Sequence, residues 1–192
     1  MSFRRVLPVV VLVSLLLSAP VSATTRNVTI VDYSFGPSAI TATLGDEVAW
    51  KNNGAHEHTS TRATFPSWSI DLTIGDSGNQ VFLQAGTFPY ACSIHHSMHG
   101  TVKVPVQATP SSGGVSTTFT IRVASVDAAA GSTYVIQRKA PGGAFKTWKT
   151  TARATVTFKS SVTGRWTFRS QVKKLSNSQG SAFSPSASVT IG

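Results

Sequence analysis

Between Thr24 and Gly192 no stretch carries a helical repeat. The apolar residues recur at every second position in short runs cut by Gly, Pro, Asn and Asp. Side chains two apart on an extended strand point to one face, so runs of this kind are half-buried strands. Val28 and Ile30 form one run, Ile40, Ala42 and Leu44 another, and Val48 and Trp50 a third after the Gly45-Asp46 turn. Phe88, Tyr90 and Cys92 share a parity, as do Val102, Val104 and Val106. The alternation resumes with Phe119, Ile121 and Val123, then Tyr134 and Ile136, Val156 and Phe158, Trp166 and Phe168, and Val189 and Ile191. Such a chain is expected to be all-β, built as sandwiches or barrels.

Charge divides it in two. Residues 24–108 hold four lysines and arginines against six acids, whereas residues 109–192 hold 11 against Asp127 alone. The turn-rich stretch Thr109-Pro110-Ser111-Ser112-Gly113-Gly114 lies at the change. The expected organisation is a first domain over 24–108, a linker over 109–114 and a second domain over 115–192.

Residues 1–23 read as a signal peptide rather than as fold. Arg4 and Arg5 precede an apolar run from Val6 to Leu17, and Val21-Ser22-Ala23 supplies small residues for cleavage. The run is short for a membrane span. The expected location is outside the cytoplasm, secreted or periplasmic, with no transmembrane segment after cleavage. Nucleic acid is then a poor fit as a partner, despite the basic second half.

Export sharpens the meaning of Cys92, the only cysteine in the chain. Exported proteins use cysteines in pairs, and an odd one needs an occupant. Cys92 is followed at three-residue steps by His95 and Met98, within Cys92-Ser93-Ile94-His95-His96-Ser97-Met98-His99-Gly100. A thiolate, an imidazole and a thioether are ligands that copper prefers, and two histidines with one cysteine and a weak methionine form a known copper geometry. The second histidine must come from His56-Glu57-His58, and on spacing alone both of its histidines share a strand face and either could reach. Three ligands at this spacing cannot face one point from an extended strand. A loop is therefore expected after Cys92, with Gly100 giving the backbone freedom to turn into the next strand.

Four segments of residues 26–107 resemble bacterial cupredoxins of the plastocyanin and amicyanin type. They are Tyr33-Ser34-Phe35-Gly36-Pro37, Gly45 to Asn52, His58-Thr59, and Gly86-Thr87-Phe88-Pro89-Tyr90-Ala91-Cys92-Ser93-Ile94-His95. The resemblance implies a Greek-key β-sandwich holding one copper ion through His58, Cys92, His95 and Met98. It selects His58 over His56 because His58 follows Trp50 by eight residues and precedes Thr59. His96 stands where the family often has proline, and His99 is a further imidazole. His56, His96 and His99 are then solvent-facing loop residues or a copper handover patch.

Residues 115–192 resemble fibronectin type III repeats, through Gly164-Arg165-Trp166-Thr167-Phe168-Arg169 and Ser184-Pro185-Ser186-Ala187-Ser188-Val189, with Trp166 in place of a usual tyrosine. A second immunoglobulin- or fibronectin-like sandwich is expected. Its cations, among them Arg138, Lys139, Lys146, Lys149, Lys159, Lys173 and Lys174, are either a solvated face or a docking surface for an anionic surface or acidic partner. The ligand set and the resemblance together imply single-electron transfer between redox partner proteins. Extracytoplasmic copper delivery is the rival, favoured by the surplus histidines, and a surface-associated binding module is a further one. An enzyme is not expected, because all five histidines lie between 56 and 99 and leave none for a second copper centre.

Overall fold

The computed structural model describes residues 23–192, so the expected signal peptide lies outside the described residues except for Ala23. The first half is a sandwich of nine strands: β1 (Thr25–Val31), β2 (Ser34–Gly36), β3 (Ala39–Thr41), β4 (Glu47–Asn52), β5 (His58–Arg62), β6 (Trp68–Leu72), β7 (Ser77–Val81), β8 (Gly86–Ala91) and β9 (His99–Val104). One sheet runs β2-β1-β4-β7 and the other β3-β9-β8-β5-β6. β1 pairs parallel with β4, and β3 parallel with β9; the other ladders are antiparallel.

The second half adds β10 (Gln107–Thr109), β11 (Ser112–Gly113), β12 (Phe119–Arg122), β13 (Ser132–Lys139), β14 (Phe145–Thr151), β15 (Thr155–Phe158), β16 (Gly164–Lys174) and β17 (Ala187–Ile191). They form a three-stranded sheet, β10-β12-β15, and a five-stranded sheet, β11-β17-β16-β13-β14. Over the described residues the expectation of an all-β chain made of two sandwiches holds. The parities explain why: Val28, Ile30, Val48, Trp50, Phe88, Tyr90, Val102 and Val104 are buried in the first half, and Phe119, Ile121, Tyr134, Ile136, Trp166, Phe168, Val189 and Ile191 in the second. Alternate residues of each run go inward because the pleat sends them there.

Residues 109–114 are not a free tether. Thr109 pairs with Thr120 through β10, and Ser112 and Gly113 pair with Thr190 and Ile191 through β11, so the join is pinned to both sheets of the second sandwich. The sandwiches also interlock elsewhere. Thr87 in β8 and Ala182 exchange backbone hydrogen bonds, each of 3.1 Å, and the Thr87 hydroxyl donates to the Phe183 carbonyl at 2.9 Å. Ala85 donates to Val123, and Ser125 to Leu83. β8 meets β5 only through Thr61 and Ala91, so the 180–184 segment covers the stretch of β8 that β5 leaves open.

In the second sandwich Asp127, its one acid, is bonded to Arg153 and to the Ala154 amide. Several cations lie on aromatic rings. The Arg138 guanidinium sits 5.4, 5.8 and 5.3 Å from the Trp148, Phe158 and Trp166 centroids. The Arg169 guanidinium lies 4.1 Å from Phe145 and 4.5 Å from Phe183. These two are therefore half-buried stacking groups rather than members of a freely solvated face.

Candidate metal centre

β8 delivers Cys92 to one end of the first sandwich, continuing the inward parity of Phe88 and Tyr90; the cysteine is 1 % exposed. The chain then leaves the strand. Cys92 N–H donates to the Met98 carbonyl at 3.1 Å and Met98 N–H to the His95 carbonyl at 3.0 Å, which closes residues 92–98 into a loop between β8 and β9. The closure places His95 beside Cys92 and holds Met98 next to both, with its side chain buried.

Gly100 serves this loop differently from expectation. Its backbone is not in the left-handed region that glycine favours. It is opposite Tyr90 in the ladder, and a Cβ there would lie 2.2 Å from the Tyr90 ring. The glycine is needed because the aromatic ring lies across it. That ring packs edge-on against Trp50 and Phe35, at 5.4 and 4.8 Å between centroids, so it cannot swing away. Burial pushes the Tyr90 phenol up to about 12, keeping it neutral beneath the site.

His58 opens β5, the strand that meets β8 only at Thr61 and Ala91, next to Cys92. Its Nδ1 lies 3.9 Å from Cys92 Sγ and 3.1 Å from His95 Nδ1, and His95 Nδ1 lies 3.8 Å from Cys92 Sγ. Among the described residues this is the one group of three or more His, Cys, Asp or Glu side chains close enough to share an ion. The point equidistant from the three atoms is about 2.1 Å from each, which suits an imidazole–sulfur site for a first-row metal. Two imidazole nitrogens and a sulfur facing one another at this spacing repel unless a proton or cation lies among them. The donors and their spacing therefore fit copper, with the soft thiolate and the neighbouring thioether favouring it over harder-ligand ions.

His56 is not on the strand with His58. It sits in the preceding loop with its side chain 52 % exposed, so strand parity does not apply to it. His96 and His99 are exposed as well, on the 92–99 segment but outside the three-donor group.

The surroundings hold the donors in place. The Thr59 and His95 amides point at Cys92 Sγ at 3.3 and 3.4 Å, an arrangement suited to an anionic sulfur. The Thr59 hydroxyl accepts from Ser93 N–H at 2.8 Å and pairs with the Ser93 hydroxyl at 3.0 Å, tying the loop to β5. Asn52, fully buried at the end of β4, reaches the carbonyls of His56, Leu72 and Thr73 at 2.8, 3.0 and 3.1 Å, and so fixes the approach to His58. Tyr33, with φ of 69°, stands edge-on to the half-buried His95 ring at 5.1 Å.

Asn52 closes the Gly45–Asn52 segment that carries the resemblance, whereas Asp32 and Arg62 carry no signal in the sequence. The Ala55 amide at Asp32, opposed by the carboxyl's desolvation and aided by His56 and His58, holds that carboxyl at about 2, so it is anionic. Arg62 is buried without a carboxylate. It donates to the carbonyls of Pro66, Pro89, Phe65 and Gly180, and burial pushes its guanidinium below the usual value.

No protein-family model and no curated protein matches the chain. Solved structures overlap part of it. A reduced tryptophan-to-tyrosine variant of amicyanin is 22 % identical, over 44 % of this chain and 86 % of that one, with a TM-score of 0.41. A purple cupredoxin from Nitrosopumilus maritimus is 24 % identical, over 41 % of this chain and 97 % of that one, at 0.37. A copper-containing nitrite reductase from Thermus scotoductus is 23 % identical, over 45 % and 23 %, at 0.38. At these scores the donor geometry, not the overlap, carries the assignment of the site.

Proposed function

We propose that this chain is an exported mononuclear type 1 copper protein of the cupredoxin kind, carrying single electrons between partner proteins. The observation that carries the reading is the triangle of His58 Nδ1, His95 Nδ1 and Cys92 Sγ. Met98, buried beside it, would hold the ion weakly through its thioether. Bound there, copper would supply one-electron exchange between its Cu(I) and Cu(II) states.

The protein's part is to keep the donors still. The loop closure at Cys92 and Met98, the Thr59–Ser93 bonds and the Asn52 anchor fix each donor independently of the ion, which keeps rearrangement between redox states small. The N–H groups aimed at the sulfur withdraw charge from it and, with the Met98 thioether, would tune the potential of a copper ion held there. His58 and Cys92 are buried and His95 is half-buried, which favours the His95 edge as the place where a redox partner makes contact.

Addition of Cu(II) to the purified protein should produce intense thiolate-to-copper charge transfer in the visible, and Cys92→Ser should abolish it. An intense band retained by the serine variant would refute the ligand assignment. The exposed histidines 56, 96 and 99 support a second reading, copper delivery. A delivery protein surrenders copper to a competing chelator within the mixing time, whereas an electron carrier retains it.

The second sandwich is proposed to attach the chain to an anionic surface, because its cations outnumber its single acid. Exposed charges of this kind are screened over about 8 Å at physiological ionic strength. Retention on anionic vesicles or cell-wall polymer should therefore fall steeply with salt, and retention indifferent to salt would discard the idea.

A further inference from the structure

His58 presents one ring nitrogen to the metal centre and the other to Asp32. Its side chain is wholly buried, and its Nε2 lies 3.5 Å from Asp32 Oδ1. For Nδ1 to offer a lone pair beside Cys92 and His95, the ring proton must sit on Nε2. A buried N–H without an acceptor is costly, and the acceptor present is this carboxylate.

Asp32 is a built feature, not a passing contact. It follows β1, and residues 54–56 fold around it. The Ala55 amide donates to both carboxylate oxygens, at 2.9 and 3.0 Å, and the His56 amide reaches Oδ1 at 3.2 Å. His56 Nδ1 also lies 3.2 Å from Oδ1. The loop passes so close that a Cβ on Gly54 would stand 2.3 Å from the same oxygen, so position 54 has room only for glycine. The chain thus gives up a side chain to bring the carboxylate to the rear of His58.

We propose that Asp32 is a positioning residue for the metal centre: it holds the proton of His58 on Nε2, turns Nδ1 toward Cys92 and His95, and places a negative charge behind the ligand. This rests on the reading of the site as a copper centre, and on the general coupling of a ligating histidine to an acceptor behind it. At 3.5 Å the hydrogen bond is long, and charge attraction falls off more slowly with distance than directional bonding. The charge and the acceptor are therefore separable by substitution.

The first test needs no metal. In the copper-free wild-type protein, above the imidazole titration range, nitrogen NMR of His58 should show the Nε2–H tautomer, and Asp32→Ala should give a mixture. A wild-type His58 protonated on Nδ1 would overturn the proposal whatever the variants do. The second test uses copper. Asp32→Asn keeps an oxygen acceptor and removes the charge, so the reduction potential should rise because Cu(II) loses its nearby anion. Asp32→Ala removes both, and should also lower copper affinity by about 10- to 100-fold. If both variants form the charge-transfer band with wild-type potential and affinity, Asp32 only caps the loop and the proposal fails. Failure of the copper reading looks different: the wild-type protein itself would then develop no band.

Discussion

The Arg62 guanidinium donates to the Gly180 carbonyl at 3.1 Å, across 118 positions of sequence. The same side chain reaches Pro89 on β8, the strand that ends at Ala91 just before Cys92, and Arg62 itself ends β5, the strand that begins at His58. Its ring of acceptors is completed by Phe65 and Pro66, and its Cζ lies 5.7 Å from the Phe88 ring centroid. One buried cation therefore ties β5 and β8 of the first sandwich to the second sandwich.

Arg62→Met should leave four carbonyls on partly buried or exposed residues without this donor, at a cost of roughly 1–3 kcal/mol. Arg62→Lys should fall between, since one ammonium cannot span the fork of a guanidinium. Urea unfolding of the full chain measures both. A methionine variant as stable as the wild type would mean that the carbonyls find other partners.

Cutting the chain near residue 110 should leave a first sandwich that still folds and binds copper, because the ligand loop closes on its own bonds. It should unfold at lower denaturant than the full chain does, having lost the 180–184 segment from β8 and one acceptor of Arg62. Equal stability of fragment and full chain would make the interdomain bonds ornamental; a fragment unable to hold copper would make the second sandwich part of the site.

His58→Ala should destroy the charge-transfer spectrum, and His56→Ala should leave it intact. The first removes a corner of the triangle, and the second removes an exposed ring whose Nδ1 meets Asp32. Visible absorbance of the copper-loaded variants decides, and the reverse pattern would move the ligand to His56.

Gly100→Ala should destabilise the first sandwich by about 1–3 kcal/mol, the usual cost of overpacking. The added methyl meets a Tyr90 ring already fixed by Phe35 and Trp50. Thermal unfolding checks the magnitude. A neutral substitution would show that the ring can move.

Asp46 supplies the pH dependence. Burial pushes its carboxyl up, but the Thr43 and Thr24 amides, the Thr43 hydroxyl and Arg26 outweigh burial and hold it below its ordinary 3.8. A carboxyl lowered on folding stabilises the protein above the ordinary value, and that stability is lost as pH falls through the lowered one. Asp46→Asn should therefore be less stable at neutral pH and show a flatter loss of stability between about pH 5 and pH 2. Parallel acid-unfolding curves for variant and wild type would contradict this.

What the sequence by itself determined is what short-range geometry governs. Strand alternation follows from a two-residue pleat, so the inward parities of Val48 and Trp50, of Phe88, Tyr90 and Cys92, and of Trp166 and Phe168 are legible residue by residue. The Cys92, His95 and Met98 loop is legible for the same reason: all three lie within seven residues, and the bonds that close it are local. The tertiary structure alone decided everything that depends on which strand lies beside which. It brought Asp32 behind His58 by running β1 alongside β4, and by starting β5 at residue 58 it placed against Cys92 the histidine that spacing left open and the resemblance selected. It also made Gly100 a seat for Tyr90 and joined Arg62 to Gly180. Hydrogen bonds between distant segments leave no period in the chain, because they depend on ladder register and on buried groups finding partners after the strands have packed.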